Sequence, residues 1–221
     1  FFKIIAHDLR NPIGSFGQLT SLMKENWEDL EEEDKLEIVA SLDKAASSAY
    51  DLLENLLEWA KLQHNDVQIN KQNIDLYPLI NKIISYFELT AKNKNINIHN
   101  ELEKNTYAFI DREMVQTIFR NLISNALKFT PIGGNIFVKC NHVDDFWEIS
   151  VEDTGVGMTQ EKLQDLFRID KQVSTRGTNN EKGTGLGLIL CKEFAEKNGG
   201  NIKVESELKK GTKFIVSLMK P

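Results

Sequence analysis

His7 stands in the run HDLRNP, followed directly by Asp8 and, one helical turn later, by Asn11 and Pro12. A neutral imidazole keeps one nitrogen lone pair and is a nucleophile near neutral pH. A carboxylate on the other ring nitrogen would fix the tautomer and raise that nucleophilicity. Adjacent helical residues do not face each other, so an Asp8–His7 contact needs the kink imposed by Pro12 or a particular rotamer. Farther along, NLISNALKFT puts Asn121, Asn125 and Lys128 at i, i+4 and i+7, a single stripe on a helix. Such a stripe can supply a neutral oxygen ligand for a hard cation such as Mg²⁺, a hydrogen-bond donor and a phosphate-binding ammonium. A plain solvated face has the same appearance. DTGVGM places Asp153 at the end of an alternating run, where its carboxylate could accept the exocyclic amine of adenine. Gly155 and Gly157 there permit close backbone approach, although a simple strand-ending turn would use the same residues. In KGTGLGL, Gly183, Gly185 and Gly187 precede a helix, so backbone N–H groups and the helix N-terminus can face phosphates. This loop lacks the Lys-Ser/Thr ending of a Walker motif. Each signal is weak alone. In this order they form the equipment for moving a phosphoryl group from ATP to an imidazole.

Two kinds of element must hold these residues. Phe2, Ile5, Leu9, Pro12, Phe16, Leu19 and Met23 follow the four-three spacing of a coiled-coil seam over residues 1–26. His7, two residues from Ile5 and from Leu9, lies about 200° around the helix from each and points away from that seam. After the acidic NWEDLEEED, a second helix to about residue 63 carries Val39, Leu42, Ala46, Ala49, Leu53, Leu56 and Ala60. One hairpin cannot bury both faces of its seam, so a four-helix bundle made by a homodimer is expected.

HNDVQINKQN, short and polar, reads as a linker and hinge. Beyond it the pattern turns mixed. LYPLINKIISYFELTAKN reads as a helix, INIHNEL and TYAFID as strands, and residues 111–129 as a helix with Val115, Ile118, Leu122, Ala126 and Phe129 on one side. NIFVKCN and WEISVED read as strands, the latter with Trp147, Ile149 and Val151 opposite Glu148, Ser150 and Glu152. A helix from about Gly187 ends at Gly199–Gly200, and NIKVES with TKFIVSLM forms a closing hairpin. The fold expected is an all-α hairpin over residues 1–66, a linker at 67–73, and an α+β sandwich over 74–221. The polar stretch 159–182, with Lys171, Arg176, Thr178, Asn179, Asn180 and Lys182, lies between the glycine motifs and reads as a lid.

Composition narrows the function classes. A net charge of −6 argues against a nucleic-acid surface. No apolar run reaches the ~20 residues of a bilayer span, and nothing resembles a signal peptide. The abrupt start FFKII, already in helical pattern, is expected to follow an upstream part that includes membrane spans. Cys140 and Cys191, unclustered, point to buried thiols in a reducing compartment. His7, His64, His99 and His142 are scattered without partners at ligand spacing, which speaks against a structural metal site.

HDLRNP resembles the phosphoacceptor box of sensor histidine kinases, and NLISNALKFT, DTGVGM, the Phe167 region and KGTGLGL resemble the N, G1, F and G2 boxes of their ATPase domain. The resemblance covers essentially the whole chain in family order. It implies an antiparallel dimerisation hairpin and a Bergerat-type ATP-binding sandwich. It further implies that His7 is phosphorylated, that Asp8 is its acid/base partner, and that Asn11 orients the water that hydrolyses a phosphorylated response regulator. By the same resemblance Asn125 ligates Mg²⁺, Asn121 and Lys128 contact the nucleotide phosphates, and Asp153 binds adenine. Gly155, Gly157, Gly183, Gly185, Leu186 and Gly187 would form the pocket floor and phosphate loop, with Thr212 near the adenine and Phe129 as the aromatic after the lysine. The implied partners are a second copy and a receiver domain. The implied location is cytoplasmic, with the intact protein anchored in the inner membrane.

One rival separates on a single residue and the other on a measurement. Gyrase-like and chaperone ATPases, and anti-sigma-factor kinases, carry a carboxylate one turn before the metal-binding asparagine. Here that position is Asn121, which is no general base near neutral pH. A nucleotide-binding scaffold that only docks a regulator is the other rival, and ATP-dependent labelling separates it.

Overall fold

The computed structural model describes residues 2–63, 69–168, 177–178 and 185–221, giving the backbone alone for 2–8, 51, 54–55, 58–59 and 61–63. The chain divides into two compact units, residues 1–67 and 68–221.

The first unit is a hairpin of α1 (Phe2–Asn26) and α2 (Glu32–Gln63). Asn26 turns the chain, its carbonyl accepting from the N–H groups of Asp29 and Leu30 at 3.0 and 3.1 Å. Glu32, Glu33 and Asp34 occupy the first turn of α2, where the helix dipole favours negative charge. α1 is continuous through Pro12. Within the chain the buried row of α2 is Ile38, Ala45 and Leu52, one residue before the expected row of Val39, Ala46 and Leu53. Val39 and Leu53 are instead 51% and 45% exposed. A seven-residue repeat sets two apolar rows side by side on α2, and one hairpin partner covers only one of them.

The second unit begins with β1 (Lys71–Asp75), α3 (Leu76–Tyr86), α4 (Glu88–Asn93), β2 (Asn97–Asn100) and β3 (Tyr107–Asp111). It continues through α5 (Arg112–Phe129), β4 (Asn135–Val143), β5 (Phe146–Asp153), α6 (Gln160–Asp165), α7 (Gly187–Lys197), β6 (Asn201–Glu207) and β7 (Gly211–Met219). Five strands form one sheet in the order β2-β4-β5-β7-β6, with β2 parallel to β4 and the other pairs antiparallel. β1 and β3 pair separately and antiparallel. Lys71–Asn73 therefore belong to a strand rather than to the linker, because pairing with Phe109–Asp111 satisfies their backbone groups. The helix expected over LYPLINKIISYFELTAKN is broken at Phe87, whose N–H donates to Ile84 as the last turn of α3 tightens.

The core lies between the sheet and α3, α5 and α7. α5 contributes Val115, Ile118, Phe119, Leu122 and Ile123, and the sheet contributes Ile136, Val138, Ile149, Val151, Val216 and Leu218. Asp111 caps α5 by accepting from Glu113 and Met114, both at 3.1 Å, and also accepts from the N–H of Asn70 at 2.9 Å. Ser150 departs from the expected outward face and is 2% exposed. It pairs across the strands with Lys139 and Ile215, and Lys139 bridges to Glu152 at 3.0 Å. Of the two thiols, Cys191 is fully buried and Cys140 only half-buried. Burial raises both, Cys140 to about 11, so neither is a ready thiolate nucleophile.

Candidate functional site

Asp153 ends β5 opposite Thr212 of β7, in a pair buried to 5% and 7% exposure. The side-chain Oδ1 of Asp153 accepts from the N–H of Gly155 at 2.8 Å and of Thr212 at 3.3 Å. Both bonds fall on one oxygen, which leaves Oδ2 to accept from elsewhere. Burial dominates the acidity and raises the carboxyl from 3.8 to about 6, the two N–H donors lowering it only in part. A folded-state value above the unfolded one means that this group stabilises the fold at low pH. That contribution is lost as pH rises from about 4 through about 6, and amounts to roughly 3 kcal/mol. Asp153→Asn keeps an accepting oxygen and is expected to remove this pH dependence. Urea unfolding of parent and variant at pH 4.5 and 7 measures it, and an unchanged difference between the two pH values would contradict the assignment.

The turn after Asp153 demands glycine at Gly155, where a Cβ would lie 2.5 Å from the carbonyl oxygen of Phe129, and again at Gly157. Gly157 has φ +64°, and a Cβ there would sit 1.9 Å from the carbonyl oxygen of Glu207. The 153–157 turn also touches the end of α5, since Val156 N–H donates to Phe129 O at 3.2 Å. Ser206, not singled out in the sequence, holds the far side. Its Oγ accepts from the N–H of Met158 at 2.9 Å and lies 3.0 Å from Thr212 Oγ1. A serine in an alternating strand carries no signal by itself, which is why pattern reading passes over it.

On α5, Asn121, Asn125 and Lys128 are half-buried, on a stripe that runs beside the fully buried Ile118, Phe119 and Leu122. Asn121 donates Nδ2 to Thr117 O at 3.0 Å. Its Oδ1 occupies the place a side chain on Gly187 would take, 2.5 Å from an ideal Cβ. Gly187 is the first residue of α7, which no side chain caps among the described residues. The first N–H groups of such a helix can face an anion. Lys128 Nζ lies 4.8 Å over the ring of Phe129. Asn125, between these residues, makes no side-chain hydrogen bond among the described residues, which fits an amide oxygen kept for a ligand. No cluster of three His, Cys, Asp or Glu capable of holding a metal occurs among the described residues.

α5 thus meets the N-terminus of α7 at Asn121 and the Asp153 turn at Phe129. Eight residues separate these contacts, about 12 Å along the axis, with Asn125 and Lys128 between them. Gly155, Gly157, Gly187 and Thr212 belong to this assembly, Leu186 is buried just before α7, and Gly185 has φ +71°. Phe167 is half-buried. Gly183, Lys171, Arg176, Asn179, Asn180 and Lys182 lie outside the described residues, as do His64 and the side chains of His7 and Asp8. Asn11 is exposed on α1. His7, Asp8 and Asn11 belong to the first unit and all the nucleotide-site candidates to the second.

Comparison with known proteins matches residues 1–65 to the His Kinase A (phospho-acceptor) domain. Residues 110–221 match the histidine kinase-, DNA gyrase B- and HSP90-like ATPase family. The sensor protein SrrB of Staphylococcus aureus is 30% identical over 222 residues, an alignment covering all of this chain and 38% of SrrB. The chain therefore spans well under half the length of that relative. In fold, the chain is similar to the Acinetobacter baumannii histidine kinase AdeS, with a TM-score of 0.76, 20% identity, and coverage of 96% of this chain and 97% of that one. It is also similar to histidine kinase ThkA, solved in complex with the response regulator protein TrrA, with a TM-score of 0.74, 22% identity, and coverage of 98% and 60%.

Proposed function

The chain belongs to the sensor histidine kinases, and from that premise we propose that it phosphorylates His7 from ATP and passes the phosphoryl group to an aspartate of a response regulator. The observation that carries the ATP site is the span of α5 from Asn121 to Phe129, bounded by the N-terminal end of α7 and by the Asp153 turn. In this reading Asp153 Oδ2 accepts the adenine amine, Lys128 and Asn121 contact the phosphates, and the α7 N-terminus receives the terminal phosphate oxygens. Asn125, whose amide makes no hydrogen bond among the described residues, would hold Mg²⁺, which neutralises phosphate charge when bound. An imidazole nitrogen of His7 forms a bond to the γ-phosphorus while the bond to the β–γ bridging oxygen breaks and ADP leaves. Asp8 takes the proton from the other ring nitrogen. The receiver aspartate then displaces the imidazole. Purified labelled chain should pass its label to a cognate receiver domain, and not to one whose acceptor aspartate is changed to asparagine. Equal labelling of both would contradict the transfer step.

Regulator dephosphorylation is the companion activity. Asn11 is exposed on α1 one turn beyond His7, a position from which it can hold a water against a docked aspartyl phosphate. Asn11→Ala is expected to keep autophosphorylation and to slow loss of phosphate from the regulator by about tenfold or more. A parallel loss of both activities would make Asn11 structural.

Assembly as a homodimer is supported by the exposed Val39 and Leu53, which repeat at heptad spacing on α2 beside the row already buried. Val39→Glu with Leu53→Glu leaves the intramolecular row intact. Sedimentation is expected to show a helical monomer for the variant and a dimer for the parent, because unpaired charge in a dry seam costs several kcal/mol. A monomeric parent would refute the dimer. Among the described residues no helix is long and apolar enough to cross a membrane. A cytoplasmic setting, with anchoring by other parts of the protein, is the reading consistent with the family; fractionation of cells expressing the full-length protein tests it, and recovery outside the cell would contradict it.

A further inference from the structure

Lys94 is a lysine buried to 5% exposure in the turn after α4, and nothing in the sequence distinguishes it from its neighbours Lys92 and Asn93. Its Nζ donates to Leu127 O at 2.7 Å and to Thr178 Oγ1 at 2.8 Å, with a longer 3.5 Å contact to Lys128 O. These carbonyls are the last of α5, the negative end of its dipole, where a cation is favourable. Burying an ammonium without oxygen partners would be costly, and here the partners come from two separate parts of the chain. Thr178 reinforces the same point. Its N–H donates to Lys128 O at 2.9 Å, and its Oγ1, which accepts from Lys94, lies 3.1 Å from both Lys128 O and Thr130 O. The carbonyl of Lys128 is thus held by Lys94 and by Thr178 together. The loop beyond α5 joins the arrangement through Gly133 N–H, which donates to Lys94 O at 3.1 Å.

We propose that Lys94 and Thr178 are positioning residues that fix the backbone of Lys128, so that its ammonium meets the nucleotide phosphates without first being ordered. Lys94 also offsets the negative end of α5. The inference rests on the nucleotide-site reading above. It makes a selective demand: loss of the clamp should weaken recognition of phosphates and leave recognition of adenosine alone.

Thr178→Val removes the hydroxyl at an exposed residue and keeps the shape, so it spares the fold. Lys94→Met keeps the buried stem and removes the ammonium. Each is expected to raise the dissociation constant for ATP about tenfold, the scale of a lost charge-assisted hydrogen bond. The double variant should be little worse than either single, because both act on one carbonyl. The affinity for adenosine, measured by chemical-shift titration, should stay at the parent value. In autophosphorylation the change should fall on KM for ATP and not on kcat. Parent-like ATP affinity in Thr178→Val would overturn the proposal, as would equal weakening toward ATP and adenosine. A parent protein that binds neither ligand would instead refute the nucleotide site itself.

Discussion

Glutamine in place of His7 is expected to bring ATP-dependent labelling of the chain down to background while ATP binding stays at the parent value. Glutamine is close to histidine in size and keeps hydrogen-bonding capacity, but it has no nucleophilic nitrogen lone pair at neutral pH. The effect is large because the acceptor is lost outright rather than misplaced. Binding is spared because the nucleotide candidates all belong to the other unit of the chain. Asp8 is the useful contrast. Asp8→Asn keeps the imidazole but withdraws the carboxylate, so label should still form, more slowly. Full labelling of His7→Gln would mean that some other side chain is the acceptor.

Asn125→Ala is expected to lower Mg²⁺-dependent ATP affinity by a factor on the order of ten to a hundred, the usual scale for disturbing a metal site. Binding measured with Mg²⁺ withheld should hardly differ between variant and parent. The fold is not at risk, since Asn125 makes no side-chain hydrogen bond among the described residues and alanine is the better helix former by roughly 0.5 kcal/mol. Thermal unfolding of the variant should therefore be unchanged or slightly later. Calorimetric titration of Mg²⁺·ATP reads the effect, and parent-like affinity would remove Asn125 from the metal role.

Much of the second unit was legible because its signals are local. The alternation of Ile149 and Val151 with Glu148, Ser150 and Glu152 gave β5, the apolar row of Val115, Ile118 and Leu122 gave α5, and Gly199–Gly200 marked the end of α7. Lys71–Asn73 were misassigned to the linker because a polar edge strand has no hydrophobic pattern; only pairing with β3 defines it. The row that α2 buries within the hairpin lies one residue before the expected seam of Val39, Ala46 and Leu53 for a related reason. Val39 and Ile38 are equally apolar, and which of them faces α1 depends on how the two helices turn about each other. At the candidate site, Asn121, Asn125, Lys128, Asp153 and the glycines could be named because residue type and spacing advertise them. Lys94 and Ser206 could not, and Thr178 stood out only as one polar residue of the 159–182 stretch, since their significance comes from contacts made across as many as 84 residues of sequence. The contact between Asn121 and Gly187 likewise joins two motifs that no local pattern connects.

The most direct test of the whole account is the chemistry of the phosphoryl bond. The purified chain, incubated with Mg²⁺ and γ-labelled ATP, is expected to acquire label that survives alkali and is lost in acid, as a phosphoramidate on an imidazole nitrogen must be. Label that survives acid, or no label at all in a chain that binds ATP, would contradict the assignment of this protein as a kinase acting on His7.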